Sequence, residues 1–280
     1  MPELPEVETI KLGLQKYLIG HTIKDVKVNK ERLVSGDTTS ILNAKVVKIS
    51  RFGKGLVIDL SNKQSIAIHI KMTGQLIYRG SNMPVNSRPD YKKIGKLPGN
   101  FTHVTFLLDN GALYYNDMRQ FGWIKILRSN KVKELSFFKS LGPEPLKDLD
   151  LKTFQSIVKN RKNPIKSILM EQKLIAGIGN IYANDALFVA KINPKRLSCT
   201  LSEKEIKNLF NAIEKVLKKG LETHGASKNH FVNALGETGN YQDFFKVYAR
   251  VGKPCVDCGT KIQKIMFLGR GTFYCPNCQN

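Results

Sequence analysis

The chain has 280 residues, of which 41% are hydrophobic, so it can bury the core of one large domain or of two medium ones. Its 45 Lys and Arg against 23 Asp and Glu give a formal net charge of +22, which indicates a polyanionic partner. No apolar run approaches the length of a membrane span, and no signal-peptide pattern is present. Nucleic acid is therefore favoured over a membrane surface as the partner.

The first residues of the chain, Met1 to Glu6, combine two prolines with two carboxylates. Removal of Met1 would leave Pro2 with a free secondary amine, which can attack an electrophilic sugar carbon and remain as a cationic iminium. A terminal α-amine titrates near ~8 and a lysine near ~10.4, so more of the terminal amine is free base at neutral pH. The structural alternative is a helix that begins at Pro5, with Glu3 and Glu6 complementing its dipole.

Apolar residues at helical spacing predict an N-terminal helix over 6–18. From Ile23 to about Leu127 the pattern changes to short β-like runs separated by turn signals, which predicts a β-sandwich or barrel with the helix against it. Residues 80–100 are polar, contain three prolines and are expected to form a long mobile loop. The predicted strands cover 46–49, 56–60, 65–70, 76–78, 103–108, 113–115 and 123–127.

Helical patterns follow a Gly- and Pro-containing connection at 141–145. The residues Ser202-Glu203-Lys204-Glu205 offer a capping box for the fourth of these helices. The predicted helices cover 151–159, 164–170, 180–190, 202–220 and 228–235. The predicted segments are a helix and β-sandwich over 1–130, a linker over 131–149, a helical domain over 150–240 and a zinc module over 241–280.

Four of the five cysteines form two C-x-x-C pairs, Cys255 with Cys258 and Cys275 with Cys278, with 16 residues between the pairs. This spacing is typical of a structural zinc site in which four thiolates form a tetrahedron. Zinc binding can contribute on the order of 10–16 kcal/mol to the folding of such a module. Two disulfides are the alternative, which the lack of a secretory signal disfavours. Cys199 is expected to be an incidental thiol.

A glycine-rich turn, Gly177-Ile178-Gly179, precedes a predicted helix that begins at Asn180. Bare glycines let backbone N–H groups at a helix N-terminus approach a phosphate, and Asn180 adds a side-chain donor. Lys166 supplies a cation upstream. Helix packing is the alternative for a single glycine turn, but a helix on each side favours a helix–two-turn–helix DNA-binding element.

Three residues at predicted strand ends suit the opening of a DNA duplex: Met72, Arg119 and Phe121. Apolar wedges and an arginine are what a protein needs to keep a duplex open after a base is flipped out. The alternatives place Met72 and Phe121 in the sheet core and Arg119 in solvent or in an ion pair. Lys54, in the tight turn Gly53-Lys54-Gly55, either meets a phosphate beside the reactive amine or lies on the surface.

Six motifs follow one another along the chain: Pro2-Glu3-Leu4-Pro5-Glu6-Val7-Glu8, Gly53-Lys54, His69-x-x-Met72-x-Gly74, Asn116-Asp117-x-Arg119-x-Phe121-Gly122, Gly177-x-Gly179-Asn180-Ile181-Tyr182 and the terminal Cys₄ module. In this order they resemble the formamidopyrimidine-DNA glycosylase family, whose members repair oxidised purines. The resemblance runs from Pro2 to Cys278. It implies an α+β fold with an N-terminal helix and β-sandwich domain, and a C-terminal helix–two-turn–helix domain carrying a Cys₄ zinc-finger β-hairpin.

The resemblance implies a bifunctional DNA glycosylase and abasic-site lyase that excises 8-oxoguanine and formamidopyrimidines and then cleaves the strand by β,δ-elimination. Pro2 is implied as the nucleophile on the C1′ atom and Glu3 as the general acid–base group for the sugar ring oxygen. Lys54 is implied to hold a phosphate and to lower the proton affinity of the amine. Glu6 is implied to organise the terminus.

The same resemblance implies seven DNA-binding residues and a single structural Zn²⁺. The gap left by the flipped base is filled by Met72, Arg119 and Phe121, with Arg119 facing the orphaned cytosine. The DNA backbone is bound by Lys166, Asn180, Lys228 and Arg270, of which Arg270 is also the implied proton donor of the lyase step. The zinc ligands are Cys255, Cys258, Cys275 and Cys278.

The chain departs from the family pattern as we align it at Phe101 and Thr102, which replace a His-rich segment before His103, and at two positions of its C-terminal half. Asn229 stands where a basic residue often lies in the lesion loop, and the adjacent Lys228 is the expected substitute. Asp185 stands where a longer glutamate is usual. None of these departures touches the expected nucleophile.

The expected partner is double-stranded DNA with an oxidised purine or an abasic site, bound by a monomer without membrane contact, at the nucleoid of the bacterial cytoplasm. The nearest alternative is an endonuclease VIII-like glycosylase for oxidised pyrimidines. Leu4 and the intact Arg119-x-Phe121 favour the purine enzyme. Further alternatives are a non-catalytic zinc-finger DNA-binding protein and a basic RNA-binding protein.

Overall fold

The computed structural model describes all residues, Met1–Asn280. The chain forms two compact units by contact, the first from Met1–Lys139 with Thr223–Gln242 and the second from Ser140–Glu222 with Asp243–Asn280. The chain therefore returns to the first unit late in the sequence, before its last 38 residues. The domain boundaries that the sequence suggests stay a prediction. None of the helices combines the length and the apolar character that crossing a membrane requires.

Helix α1 (Leu4–Leu18) opens the first unit and confirms the predicted N-terminal helix, which begins two residues earlier than expected. Glu3 is its N-cap, and the Glu6 carboxylate accepts a hydrogen bond from the Glu3 backbone N–H at 2.8 Å. Pro5 fits the first turn because it lacks the N–H that would have no partner there. The face buried at helical spacing carries Val7, Ile10, Leu14 and Leu18.

Two sheets complete the core of the first unit and confirm the predicted β-sandwich. The four-stranded sheet is antiparallel in the order β1-β7-β8-β6, and the five-stranded sheet has the order β2-β9-β5-β4-β3 with β2 and β9 parallel. Inward apolar side chains of both sheets and of α1 form one core. The strands are β1 (Ile23–Val28), β2 (Val34–Ser35), β3 (Val46–Phe52), β4 (Gly55–Leu60), β5 (Gln64–His69), β6 (Gly74–Gly80), β7 (Thr102–Leu108), β8 (Gly111–Asp117) and β9 (Trp123–Arg128).

Two short helices interrupt segments that the sequence predicts as loop or linker. Helix α2 (Tyr91–Ile94) lies within residues 80–100, and Ile94 is buried against Ile77 and Val232. Helix α3 (Ser136–Lys139) lies within the predicted linker. Both segments therefore pack on the first unit instead of only connecting elements.

The predicted helix over 228–235 is wrong, because this segment forms bends and turns. Its carbonyl groups accept hydrogen bonds from other parts of the first unit instead of from residues four positions ahead. The Tyr78 backbone N–H donates to the Ala234 carbonyl at 2.8 Å, and the Arg79 guanidinium donates to the Leu235 carbonyl at 3.0 Å. The apolar residues that suggested a helix reach the core by an irregular path.

The second unit is helical and ends in a β-hairpin, which confirms the predicted fold class. Ser202 and Glu205 form the predicted capping box, in which the Ser202 backbone N–H donates to the Glu205 carboxylate at 2.8 Å and the Glu205 N–H donates to the Ser202 hydroxyl at 3.3 Å. The elements are α4 (Leu151–Lys159), α5 (Ile165–Met170), α6 (Asn180–Val189), α7 (Glu203–Glu222), β10 (Gln263–Phe267) and β11 (Arg270–Tyr274).

Asp185, one of the departures from the family pattern, is fully buried in α6. Its carboxylate accepts backbone hydrogen bonds from Lys246 at 3.2 Å, Val247 at 3.0 Å and Tyr248 at 3.1 Å. The shorter side chain therefore reaches three consecutive donors just before the cysteine module. It ties α6 to the chain that enters that module.

We expect Asp185→Ala to destabilise the second unit by about 3 kcal/mol, because it leaves buried N–H groups without an acceptor. Amide hydrogen exchange at residues 246–248, with thermal unfolding, measures the effect. Asp185→Asn keeps one acceptor oxygen and should recover part of the loss. Asp150→Ala removes an N-cap bond to Thr153 and should cost ~1 kcal/mol without exposing residues 246–248. Unchanged exchange at those amides in Asp185→Ala would show that the carboxylate does not hold them.

Candidate active site and nucleic-acid interface

The N-terminal residues Pro2 and Glu3 are both buried at the start of α1. The Glu6 carboxylate, also buried, joins them to the segment that returns late in the chain. One oxygen accepts from the Glu3 N–H at 2.8 Å and the other from the Ala226 N–H at 2.8 Å. Gly225 has φ +81°, and a Cβ there would lie 2.9 Å from the Glu6 side chain, so this position requires glycine.

Lys54 lies in the turn between β3 and β4 with only 3% of its surface exposed. This burial rules out the surface-lysine alternative. The Arg51 guanidinium supports the turn by donating to the Gly53 carbonyl at 2.9 Å, and it also donates to the Glu8 carboxylate at 2.6 Å. Burial raises the pKa of Glu8, but hydrogen bonds from Lys11 and Arg51 outweigh it and hold that pKa below its usual value. Glu8 therefore stays ionised and keeps Arg51 in place.

His69 is a buried imidazole at the end of β5, beside Lys71 and Lys54. Burial is the largest cause that lowers its pKa to about 3, followed by the charges of Lys71 and Lys54. Its Nδ1 atom lies 2.9 Å from the Lys71 backbone N–H, which donates to it. His69 is therefore neutral at physiological pH and adds no charge near the buried lysine.

Met72, Arg119 and Phe121 come together at the strand ends, as the sequence predicts. The Arg119 guanidinium lies 4.6 Å from the centre of the Phe121 ring, and one of its nitrogens lies 3.1 Å from the Met72 sulfur. Met72 is 41% exposed and Phe121 is 55% exposed. The sheet-core alternative is therefore wrong for both apolar residues, and the three side chains form one exposed group.

Asp117 shapes the turn that presents Arg119 and Phe121, and the sequence reasoning gave it no role. Its buried carboxylate accepts from the Thr73 hydroxyl at 2.5 Å and from the Gly122 N–H at 2.8 Å. The Thr73 hydroxyl in turn accepts from the Arg119 N–H at 3.0 Å. The signal available in the sequence was its place in the Asn116–Gly122 motif.

Lys166, Asn180 and Arg270 lie around the β10–β11 hairpin in the second unit. Lys166 is only 2% exposed, and its ammonium donates to the Thr272 hydroxyl at 2.7 Å and to the Gly271 carbonyl at 3.4 Å. The Asn180 amide donates to the same carbonyl at 3.0 Å. A cavity of about 150 Å³ is lined by Lys166, Ser167, Met170, Glu171, Phe267, Leu268 and Arg270. Lys166 of α5 and Asn180 of α6 thus both bind the hairpin strand that begins at Arg270, which brings the three sequence-predicted residues into one region.

Lys228, the fourth predicted backbone contact, lies exposed in a bend of the first unit, next to Asn229. Lys166, Asn180 and Arg270 belong to the second unit. Two residues that the sequence analysis did not single out, Lys93 and Gln75, bind the segment that contains Lys228. The Lys93 ammonium donates to the Ser227 carbonyl at 2.6 Å, and the Gln75 amide donates to the His230 carbonyl at 2.7 Å. No sequence motif marks these two residues.

The four paired cysteines lie close enough to hold one metal ion, since their Sγ atoms are all within 4.8 Å of one another. Cys255 and Cys278 are 3.9 Å apart, and Cys258 and Cys275 are 3.5 Å apart. Tetrahedral zinc with Zn–S bonds of ~2.3 Å requires sulfurs ~3.8 Å apart, so the arrangement fits. All four thiols are free, which excludes the disulfide alternative in this structure. Four sulfur ligands leave no open position for chemistry, so the zinc is structural.

Three family models match consecutive parts of the chain. They are described as the formamidopyrimidine-DNA glycosylase N-terminal domain at residues 1–124, the H2TH domain of the same glycosylase at 141–232, and a zinc finger found in FPG and IleRS at 252–280. A formamidopyrimidine-DNA glycosylase of Pelotomaculum thermopropionicum is 41% identical over 286 residues, covering 100% of this chain and 99% of the relative.

Solved structures of DNA complexes are similar to the whole chain. A Lactococcus lactis FPG mutant bound to DNA that contains Fapy-dG has a TM-score of 0.88 and 33% identity, covering 100% of both chains. The Lactococcus lactis Fpg bound to DNA that contains an abasic site has a TM-score of 0.88 and 33% identity, covering 99% of both.

We expect Lys93→Met to loosen residues 227–231, because the Ser227 carbonyl loses a charged hydrogen-bond donor. Such bonds contribute ~1.5–3 kcal/mol, so amide exchange in this segment should be ~10-fold faster or more. Lys92→Met is the matched control, since Lys92 is exposed and its ammonium makes no bond to this segment. Equal exchange in the two variants would show that Lys93 does not hold the segment.

Proposed function

Because the chain belongs to the formamidopyrimidine-DNA glycosylase family, we propose that it excises 8-oxoguanine and formamidopyrimidines from duplex DNA and then cleaves the strand at the abasic site. The observation that carries the proposal is the buried Pro2–Glu3 terminus. The Glu6 carboxylate accepts one hydrogen bond from the Glu3 N–H and another from the Ala226 N–H, and so ties this terminus to the returning segment. A zinc-finger protein that only binds DNA has no need of this arrangement. Its place in the sequence also matches that of the nucleophile implied by the family resemblance.

In the proposed mechanism, removal of Met1 frees the Pro2 amine, which attacks the C1′ atom of the damaged nucleotide. The glycosidic bond breaks, and the base leaves with its bonding electrons and takes up the proton that the attacking amine loses. Glu3 delivers a proton to the sugar ring oxygen as the ring opens, which leaves an iminium between Pro2 and C1′. This cation withdraws electrons and acidifies the C2′ proton. Loss of that proton expels the 3′ phosphate, and a second elimination expels the 5′ phosphate.

Lys54 serves the nucleophile in this proposal. A buried cation near the amine disfavours its protonated form and so increases the fraction that can attack at neutral pH. The same ammonium is a partner for a phosphate beside the lesion. Glu6 acts through position alone, since its two carboxylate oxygens already bind backbone N–H groups.

We propose that DNA is opened and held by separate groups of residues. Met72, Arg119 and Phe121 fill the gap left by the flipped base, and Arg119 faces the orphaned cytosine. The backbone is bound by Lys166, Asn180, Lys228 and Arg270, and we also assign to Arg270 the proton donor of the lyase step. The net charge of +22 supports a polyanionic partner.

Zinc serves this function through the hairpin and not through the reaction. The Cys₄ site fixes the chain on both sides of β10 and β11, where Arg270 lies. We further propose that the protein works at the bacterial nucleoid in the cytoplasm. DNA is its substrate, and four reduced thiols suit a reducing compartment.

We expect borohydride to trap a covalent adduct between the protein and a duplex that contains 8-oxoguanine opposite cytosine. Pro2→Gly should lower base release severely while DNA binding survives, because a primary amine replaces the secondary amine that attacks C1′. Pro5→Ala is the control, since it changes a first-turn proline without touching the amine. Protein that retains Met1 should release the base as slowly as the Pro2→Gly variant. Full activity of the Met-capped protein would rule out Pro2 as the nucleophile.

We expect a salt titration of DNA binding to distinguish the role of Arg119 from that of Lys166. Lys166→Ala should weaken binding to all duplexes and reduce the salt slope by about one counterion, because a phosphate contact is lost. Arg119→Ala should lose selectivity for cytosine opposite 8-oxoguanine with little change in slope, because its partner is a base.

Thr272→Val controls for the hairpin in this experiment, since it removes the hydroxyl that Lys166 binds but keeps the cation. It should leave the salt slope unchanged. The assay compares the four bases opposite 8-oxoguanine at several salt concentrations. Equal weakening of all four duplexes by Arg119→Ala, with a full loss of slope, would make Arg119 another phosphate ligand.

A further inference from the structure

Two adjacent phenylalanines of α3, Phe137 and Phe138, pack on the turn that carries Lys54. A Cβ atom built on Gly55 would lie 2.8 Å from a ring carbon of Phe137 and 2.7 Å from a ring carbon of Phe138. The two rings lie edge to face with their centres 5.1 Å apart. They therefore occupy the space beside Gly55 so closely that no larger residue fits there without a shift.

The phenylalanine pair also contacts residues at the ends of β3, β5 and β9. Phe138 lies 5.7 Å from Phe52, the last residue of β3, and Phe137 lies 4.7 Å from His69, measured between ring centres. Trp123 lies 5.7 Å from Phe137. The imidazole in this cluster is neutral, since burial and nearby cations lower the pKa of His69 to about 3. The aromatic surface on the Gly55 side of the turn is thus uncharged.

The opposite end of the turn is fixed by a charged pair. Arg51 donates to the Gly53 carbonyl at 2.9 Å and to the Glu8 carboxylate of α1 at 2.6 Å. The residues before and after Lys54 are therefore held by two independent contacts, one polar and one aromatic. Contacts on both sides of Lys54 keep its ammonium in a set position. This matters because a displacement of ~1 Å at a catalytic group can lower the rate ~10²-fold.

We propose that Phe137 and Phe138 are positioning residues for Lys54, so that the segment predicted as a linker contributes to the reaction. The inference rests on the proposed function, because it takes Lys54 as the cation that serves the Pro2 amine. Loss of a ring frees the Gly55 side of the turn and lets Lys54 move or take up water. The ammonium then disfavours protonation of the amine less strongly, and the amine needs a higher pH to react.

A double-mutant cycle tests whether the pair acts through Lys54. Single-turnover base release from an 8-oxoguanine:cytosine duplex is measured for Phe138→Leu, Lys54→Met and the double variant. We expect Phe138→Leu to lower the rate ~10-fold or more with little change in DNA affinity, as expected for a misplaced catalytic group. In the Lys54→Met background the same change should have little further effect. The midpoint of the pH profile for borohydride trapping should move upward in Phe138→Leu.

Three further variants separate positioning from stability. Phe106→Leu makes the same substitution at a buried core position of β7 and should lower thermal stability without moving the rate or the pH midpoint. Phe138→Met keeps an apolar and flexible side chain that can fill more of the space beside Gly55 than leucine, so the rate should recover in part. Gly55→Ala places a methyl group against both rings and should reproduce the defect of Phe138→Leu.

The outcomes distinguish the two proposals. If Lys54→Met is slow and the effect of Phe138→Leu adds to it in full, the positioning role is wrong while the role of Lys54 stands. If Lys54→Met keeps the wild-type rate, the role of Lys54 and the positioning role both fail. The trapping experiment on Pro2 decides the glycosylase proposal separately from either result.

Discussion

The carboxylate of Glu6 makes the contact on which the first unit's site depends. Its two oxygens accept hydrogen bonds from the Glu3 and Ala226 N–H groups, and Glu6 and Ala226 lie 220 residues apart in sequence. A buried carboxylate with two backbone donors is satisfied only while both segments stay in place. The Pro2–Glu3 terminus and the returning segment therefore share one polar contact, and folding of the late segment completes the environment of the first residues.

Burial is shared by four of the ionisable residues that we assign to the candidate site, whereas Arg270 is exposed. Glu3, Glu6, Lys54 and Lys166 are all nearly inaccessible to water. An ionised group in such a place must be compensated by partners, which also fix its position. The residues assigned to the opened duplex behave in the opposite way, because Met72 and Phe121 remain exposed for an apolar partner that arrives with the DNA. The sequence pattern alone leaves this division open, since it gives no exposure for any of these side chains.

Much of the fold follows from local patterns. The helical spacing of Val7, Ile10 and Leu14 predicts α1, and the two C-x-x-C pairs predict the Cys₄ cluster, because each pattern has one simple structural solution. The error at 228–235 has a different origin. Its apolar residues face the core along an irregular path whose carbonyls accept hydrogen bonds from Tyr78, Gln75 and Arg79. Because these donors lie far away in sequence, no local pattern within 228–235 predicts them.

The same contrast explains why candidate catalytic residues are easier to predict than the residues that position them. A terminal proline, a paired carboxylate or a cysteine cluster is rare enough to stand out, because few residue types can perform the chemistry. Phe137 and Phe138 are ordinary apolar residues in a segment without periodicity. Only their distance from Gly55 distinguishes them from residues that merely pack on the surface of the unit. Positioning is achieved by shape and burial, for which several residue types serve. The residues that set the geometry of a site are therefore found from contacts, starting from the side chains that the chemistry requires.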